Sequence, residues 1–172
     1  MIYQGIFLGM TKSAKLRRRV GVFVYNDKGQ VFAEESPYRD TLRFPGGGVD
    51  NNNSINQAAR MEVLEEAGLR LKDVHGVGVD SSNIRWSKEM IAKAKKKGRN
   101  FTGNKQYFRA GRFDKKDDSL FGVEGDQFKN GKWINIDTAI KRQERYGKSG
   151  GEFSDLSMLE SEALRNLKEK IK

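Results

Sequence analysis

The sequence predicts a single domain of the α/β sandwich class, on three observations. Apolar residues alternate with others over short runs such as RVGVFVY at Arg19–Tyr25, the two-residue period of a strand. Elsewhere they recur at helical spacing, as Leu156, Leu159, Ala163, Leu164, Leu167 and Ile171 do. The two patterns interleave along one chain of 172 residues, a length that suits one domain with its own core.

The elements follow in order. Residues 1–19 read as an N-terminal strand and basic segment, with Lys12, Lys15, Arg17, Arg18 and Arg19 as its cations. Arg19–Tyr25 and Gln30–Glu35 form two strands across the turn Asn26-Asp27-Lys28-Gly29. Ser54 and Gln57 have the spacing of a capping box, and Gly68 stands where a left-handed residue ends the helix between them. Leu69–Val79 has strand character, broken by Gly76 and Gly78. A basic helical insertion occupies about residues 84–100, where Met90, Ile91 and Ala94 turn inward and Lys93, Lys95, Lys96, Lys97 and Arg99 surround its end. Further strands fall at Lys105–Phe113 and Lys132–Ile136, and a C-terminal helix at about residues 154–171 packs its apolar stripe on the core.

Composition narrows the function classes. The absence of cysteine excludes disulfides and thiolate metal sites and favours a cytoplasmic setting. MIYQGIFLGM precedes the basic residues, the reverse of a secretory signal, and no apolar run is long enough to span a membrane. A membrane partner is therefore not expected. A formal net charge of +10 favours anionic partners and phosphates, without separating nucleic acid from a nucleotide or another polyphosphate.

The chemistry concentrates in FPGGGVDNNNSINQAARMEVLEEAGLR, Phe44–Arg70. Glu62, Glu65 and Glu66 stand at i, i+3 and i+4 and share one helix face. Such carboxylates repel one another unless a cation intervenes, and Mg²⁺ takes one or two carboxylates together with substrate phosphates. A solvated acidic face is the alternative. Gly46-Gly47-Gly48 tips the balance, because bare backbone can approach a ligand closely.

This stretch resembles the Nudix box of the Nudix hydrolases: Gly, five residues, Glu, seven residues, Arg-Glu, an aliphatic residue, any residue, Glu-Glu, any residue, Gly and an aliphatic residue. The first glycine falls on Gly47, and Glu62-Val63-Leu64-Glu65-Glu66-Ala67-Gly68-Leu69 closes the pattern. The preceding FPGG is also common in the family. The resemblance implies a Nudix-type α/β/α sandwich with a mixed central sheet. Two positions depart, Asn53 replacing the first glutamate and Met61 the arginine. In the family those side chains pair. Losing both is expected to leave a neutral strut, with Asn53 facing Met61, in place of an unmatched charge.

The resemblance further implies hydrolysis of a diphosphate linkage with Mg²⁺, or alternatively Mn²⁺. The substrate class spans nucleotides and nucleoside diphosphate derivatives, dinucleoside polyphosphates and RNA 5′ ends. Glu62, Glu65, Glu66 and the Gly47 carbonyl are the implied metal ligands. Glu65 serves as ligand or base, Glu66 belongs to the catalytic set, and Glu124, with Asp126 beside it, is the candidate distant carboxylate. Arg43 meets a phosphate or merely the surface. Trp86 stacks on a base or packs in the core or a lid. His75, the single histidine, reads as non-catalytic. The basic segments either contact RNA phosphates or form a solvated face. A homodimer is compatible with all of this. The alternative function is a catalytically impaired Nudix-fold module that binds nucleotides or RNA.

Overall fold

Strand β1 (Leu16–Tyr25) organises the domain because its two faces serve two cores. Val20, Val22 and Val24 are buried on one side, and Phe23 on the other. The computed structural model describes residues 15–79, 82–122 and 128–172.

After β1 the chain turns at Asn26–Gly29. The Asn26 Oδ1 accepts from the amides of Lys28 (3.0 Å) and Gln30 (3.2 Å), and Gly29 takes a left-handed φ of 68°. Strand β2 (Gln30–Glu35) returns antiparallel to β1, and β3 (Leu42–Arg43) pairs with β2. The glycine run forms β4 (Gly46–Gly48), antiparallel to β1. Helix α1 (Ile55–Ala67) follows, then β5 (Leu69–Gly76), β6 (Ser82–Arg85) and helix α2 (Lys88–Lys96). Strand β7 (Gly103–Lys116), β8 (Lys132–Asn135), α3 (Ile136–Lys148) and α4 (Ser154–Lys170) complete the described elements.

The sheet order is β3-β2-β1-β7-β5, with β4 on β1, β6 on β7 and β8 on β2. β1 and β7 run parallel from Leu16↔Gly103 to Tyr25↔Arg112, whereas the other pairs are antiparallel, so the sheet is mixed. α1 covers one face through Ala58, Ala59 and Val63, against the three β1 valines. α3 and α4 cover the other through Ile136, Ile140, Leu164 and Leu167, against Phe23 and Phe108. The Phe23 and Phe108 rings stack at 5.8 Å, and Phe44 meets Phe23 edge-on at 4.9 Å. The expected α/β/α sandwich is what forms.

Several boundaries differ from the sequence reading. β1 starts at Leu16, so Arg17, Arg18 and Arg19 belong to the strand; Lys12 lies outside the described residues. Helix α3 was not anticipated. Asn135 ends the preceding strand by capping α3, its Oδ1 accepting from the Asp137 amide at 2.9 Å, so Ile136 is helical. Ile136, Ala139, Ile140 and Gln143 are buried along α3 at helical spacing, a signal present in the sequence. Among the described residues no helix is long and apolar enough to cross a membrane.

Helix α1 is bounded as its sequence indicates. Ser54 accepts from the Gln57 amide (3.1 Å), Gln57 accepts in return from the Ser54 amide (2.8 Å), and Gly68 ends the helix at φ 63°. Ser54→Ala is expected to lower folding stability by about 1 kcal/mol, read from the urea midpoint at unchanged slope. An unshifted midpoint would show that packing alone holds the start of α1.

Candidate active site at the glycine strand

The site is assembled where β4 lies between β1 and α1. Val22 donates to the Pro45 carbonyl and Val49 donates to the Arg18 carbonyl, so the intervening pair, Val20 with Gly47, is also a hydrogen-bonding one. The amide and carbonyl of Gly47 therefore face β1. Gly46 and Gly48 point theirs the other way, and the Gly46 amide donates to Glu66 Oε2 at 2.9 Å. Glu62 approaches so closely that its carboxyl group fills the space a Gly47 Cβ would need. A Cβ at Gly48 would likewise lie 2.6 Å from Arg17 Nη2. A side chain at Gly47 or Gly48 would displace the Glu62 carboxyl or the Arg17 guanidinium, whereas at Gly46 it would meet the Val20 backbone carbonyl, which cannot move aside.

Crowding sets the charges. Glu66 is only 8% exposed, and burial lifts its pKa to about 7, against the pull of the Gly46 amide and with a further push from Glu62. Burial, then the charge of Glu65, raises the pKa of Glu62 as well, while Arg19 and Arg17 oppose the shift. Arg19 is itself held below its ordinary pKa by burial and by Arg17, and is steadied by Glu62 and Glu66. Among the described residues no hydrogen bond or ion pair engages the Arg19 side chain, and Arg19 lines the adjoining cavity. Among the described residues no three acidic or imidazole groups converge on one point. Two carboxylates beside outward-facing backbone nevertheless suit a hard divalent cation that also takes phosphate and water oxygens.

The NUDIX domain profile matches residues 15–156, which spans the glycine strand, α1 and the whole sheet. The chain belongs to the Nudix family. An RNA pyrophosphohydrolase of Pasteurella multocida (strain Pm70) is 36% identical over 70 residues, covering 41% of this chain and 35% of that protein. The chain thus spans about a third of the length of that relative. Among solved structures, the Ap4A hydrolase of C. elegans superposes with a TM-score of 0.52 at 16% identity, covering 91% of this chain and 99% of that one. A NUDIX hydrolase from Nitrosomonas europaea gives 0.50 at 21% identity, covering 75% and 78%. At those identities the superpositions speak for the fold alone.

The Nudix box keeps its shape despite its two departures. The Asn53 amide donates to the Asp50 carbonyl (3.0 Å), and among the described residues no hydrogen bond engages the Asn53 side chain. Met61 is 41% exposed, so the missing arginine leaves no buried charge unmatched. The cations that act on Glu62 are Arg19 and Arg17 of β1, and those that act on Glu66 are Arg19 and Arg43 of β3. Arg17 and Arg19 were visible in the sequence only as part of a basic cluster.

Arg43 is engaged with buried Glu34, its Nε donating to Oε2 at 2.7 Å, and its guanidinium lies 4.5 Å over the Phe128 ring. Glu34 also accepts from the Asn130 amide (2.8 Å), so Arg43 belongs to a packed network as well as to the cavity wall. Trp86 lines the same cavity. Glu124 and Asp126 lie outside the described residues. The described residues on either side, Gly122 and Phe128, donate to the backbone carbonyls of Glu65 (3.0 Å) and Glu66 (2.9 Å). His75 stands beside Tyr25, away from the carboxylates, with Nδ1 3.0 Å from the Gly76 carbonyl.

Sequence reasoning missed Glu160 on the far wall of the cavity and Gln143 behind it. Fully buried Gln143 accepts from Thr41 Oγ1 (2.5 Å) and the Leu42 amide (3.0 Å), and donates to the Leu42 carbonyl and to Glu160. Burial raises the Glu160 pKa to about 8, although the Gln143 bond and the charge of Arg39 act against it. The helical spacing of Gln143 with three apolar residues was the one clue to its burial.

Two outcomes follow. Gly47→Ala places a methyl group in the Glu62 carboxyl position and is expected to lower divalent-cation affinity at least about tenfold, measured by titration calorimetry, with the fold retained by circular dichroism. Unchanged affinity would remove Glu62 from the site. For Glu160, a folded-state pKa above the unfolded value means that the neutral form is favoured in the fold. Its contribution is complete below about pH 4 and is lost as pH rises through about 8. Glu160→Gln is expected to flatten the fall in thermal midpoint between pH 5 and 8, and parallel curves for the two proteins would contradict this assignment.

Proposed function

We propose that this Nudix chain is a divalent-metal-dependent pyrophosphohydrolase acting on an RNA 5′ end or a nucleoside diphosphate derivative. The observation that carries this reading is the placement of Glu62 and Glu66 against the glycine strand, beside a cavity walled by Arg19, Arg39 and Arg43. The RNA pyrophosphohydrolase name of its relatives and the net charge of +10 favour a polyanionic substrate. Absence of cysteine agrees with a cytoplasmic protein.

Glu62 and Glu66 would hold Mg²⁺, with the Gly46 carbonyl as the backbone oxygen turned toward them; the Gly47 carbonyl faces β1. When bound, the metal neutralises phosphate charge and makes a water more acidic. Arg19 adds a fixed cation for the substrate phosphates. Glu65, or Glu124, takes the proton as the water oxygen attacks phosphorus and the bridging P–O bond breaks. Glu66 must be ionised to bind a cation, which ties occupancy to its raised pKa. The exposed position of Met61 gives no support to a module without catalysis.

The decisive experiment offers 5′-triphosphorylated RNA, dinucleoside polyphosphates and nucleoside triphosphates with Mg²⁺, and identifies the phosphate released. Glu66→Gln is expected to reduce turnover by roughly two orders of magnitude or more. In the wild-type protein, Mg²⁺ affinity should climb as pH rises toward about 7 and then level, with proton release seen in buffers of differing ionisation enthalpy. Turnover of none of these substrates, or a Glu66→Gln protein that still releases the proton, would defeat the reading.

A further inference from the structure

The start of β1 borders a groove of about 370 Å³ that shares no lining residue with the cavity walled by Trp86. Lys15, Arg17 and Arg18 line it from the chain entering β1, Asn51 from the turn between β4 and α1, and Phe101 from the segment before β7. Gly48 also belongs to its wall, so the groove adjoins the glycine strand. Arg17 joins the two places. Its guanidinium fills the space beside Gly48, and its charge acts on Glu62.

The cations of the groove have no acidic partners. Elsewhere on the surface arginines are matched, Arg70 by Asp117, Arg112 by Asp27, Arg142 by Glu35 and Arg165 by Glu144. Among the described residues no carboxylate forms an ion pair with Lys15, Arg17 or Arg18. The adjoining turn carries one charge, Asp50, and then three neutral asparagines, Asn51, Asn52 and Asn53. Surfaces ordinarily intersperse both signs, and one sign gathered in a concave place attracts polyanions.

Aromatic rings are set among these cations. The Lys15 ammonium lies 5.5 Å from the centre of the Phe101 ring. That ring is held in place from both sides, since the Thr102 amide donates to the Lys15 carbonyl (2.9 Å) and the Trp86 amide donates to the Thr102 carbonyl (3.0 Å). One strand over, Arg18 is the register partner of Lys105, whose ammonium lies 5.8 Å from the centre of the Tyr107 ring. The chain that leads to Phe101 is basic too. Lys93, Lys95 and Lys96 end α2, Lys97 and Arg99 follow, and all five are exposed.

We propose that the groove at the start of β1 holds single-stranded RNA, as the track for the nucleotides that follow a 5′ end seated at the glutamates. A base stacks on Phe101, Lys15 and Arg18 meet the flanking phosphates, and Arg17 spans the step from the carboxylates to the groove. Rings among cations suit a strand whose bases are free, because every base has a face to stack and the cations follow the backbone. The inference rests on the reading of the site as one for an RNA 5′ end and deepens it, by assigning where the rest of the chain runs.

A 5′-monophosphorylated RNA decamer with a 3′ fluorophore has no diphosphate bond to cleave, so its anisotropy reads binding without turnover. The wild-type chain should bind it at least about tenfold more tightly than the matching nucleoside 5′-monophosphate, measured as a competitor. Log affinity should fall against log salt with a slope of about −2 or steeper, as three phosphate contacts on a single strand require. Phe101→Leu, with its fold checked by circular dichroism, should weaken decamer binding at least about fivefold. Lys15→Gln combined with Arg18→Gln should flatten the salt slope by about 1.4. Decamer binding no tighter than that of the monophosphate, a folded Phe101→Leu protein that binds as the wild type does, or an unchanged slope in the double variant overturns the groove. So does inorganic polyphosphate of equal charge that binds as tightly as the RNA, the mark of charge alone. Turnover of 5′-triphosphorylated RNA without any dependence of binding on Phe101 would defeat this inference and spare the enzymatic reading, whereas Phe101-dependent binding without turnover would do the reverse.

Discussion

A carboxyl group lodged in the space of a missing Cβ, Glu62 against Gly47, is the contact on which the arrangement of the site depends. The absent side chain leaves room for the carboxyl group against β4. The same approach brings Glu66 to the Gly46 amide. β4 is in turn held on β1 through the Val20–Gly47 pair, so the helix, the glycine strand and the central strand form one rigid unit. The valines of β1 beneath α1 stabilise that unit by burial, and the capping box and Gly68 give the helix defined ends.

Such packing has an electrostatic consequence. Two carboxylates brought out of water beside each other are costly to ionise together, which is why Glu66 titrates near neutrality. Arg17 and Arg19 relieve part of that cost from the next strand. The charge of the helix face is thus balanced from neighbouring strands. The position left to Met61 faces solvent, and its neutrality has no cost in the core.

The cavity depends on a different set of contacts. β3, α3 and α4 are joined by Gln143, whose amide group bonds to Thr41, Leu42 and Glu160 at once. A fully satisfied polar network of this kind fixes geometry more firmly than apolar packing, since each bond has a direction. The opposite wall is made by β6 and α2, where burial is slight. One side of the cavity is therefore held by directed hydrogen bonds and the other by sparse packing.

Much of this was legible in the sequence because it is local. The alternation of Val20, Val22 and Val24, the Ser54–Gln57 cap, the Gly68 stop and the glutamate spacing all act within a few residues. They determined the strand and helix around the Nudix box and which side chains share a face. Other features depend on pairing between distant segments. β1 and β7 run parallel although more than seventy residues separate them in the chain, and no local pattern encodes that register. Likewise, only the antiparallel fit of β4 to β1 decided that Gly46, and not Gly47, turns its backbone toward the carboxylates. Arg19 and Glu160 read as ordinary surface charges until the fold half-buried them. Local periodicity thus determined which carboxylates share a helix face, and strand register and burial decided what they face and in which direction their ionisation shifts.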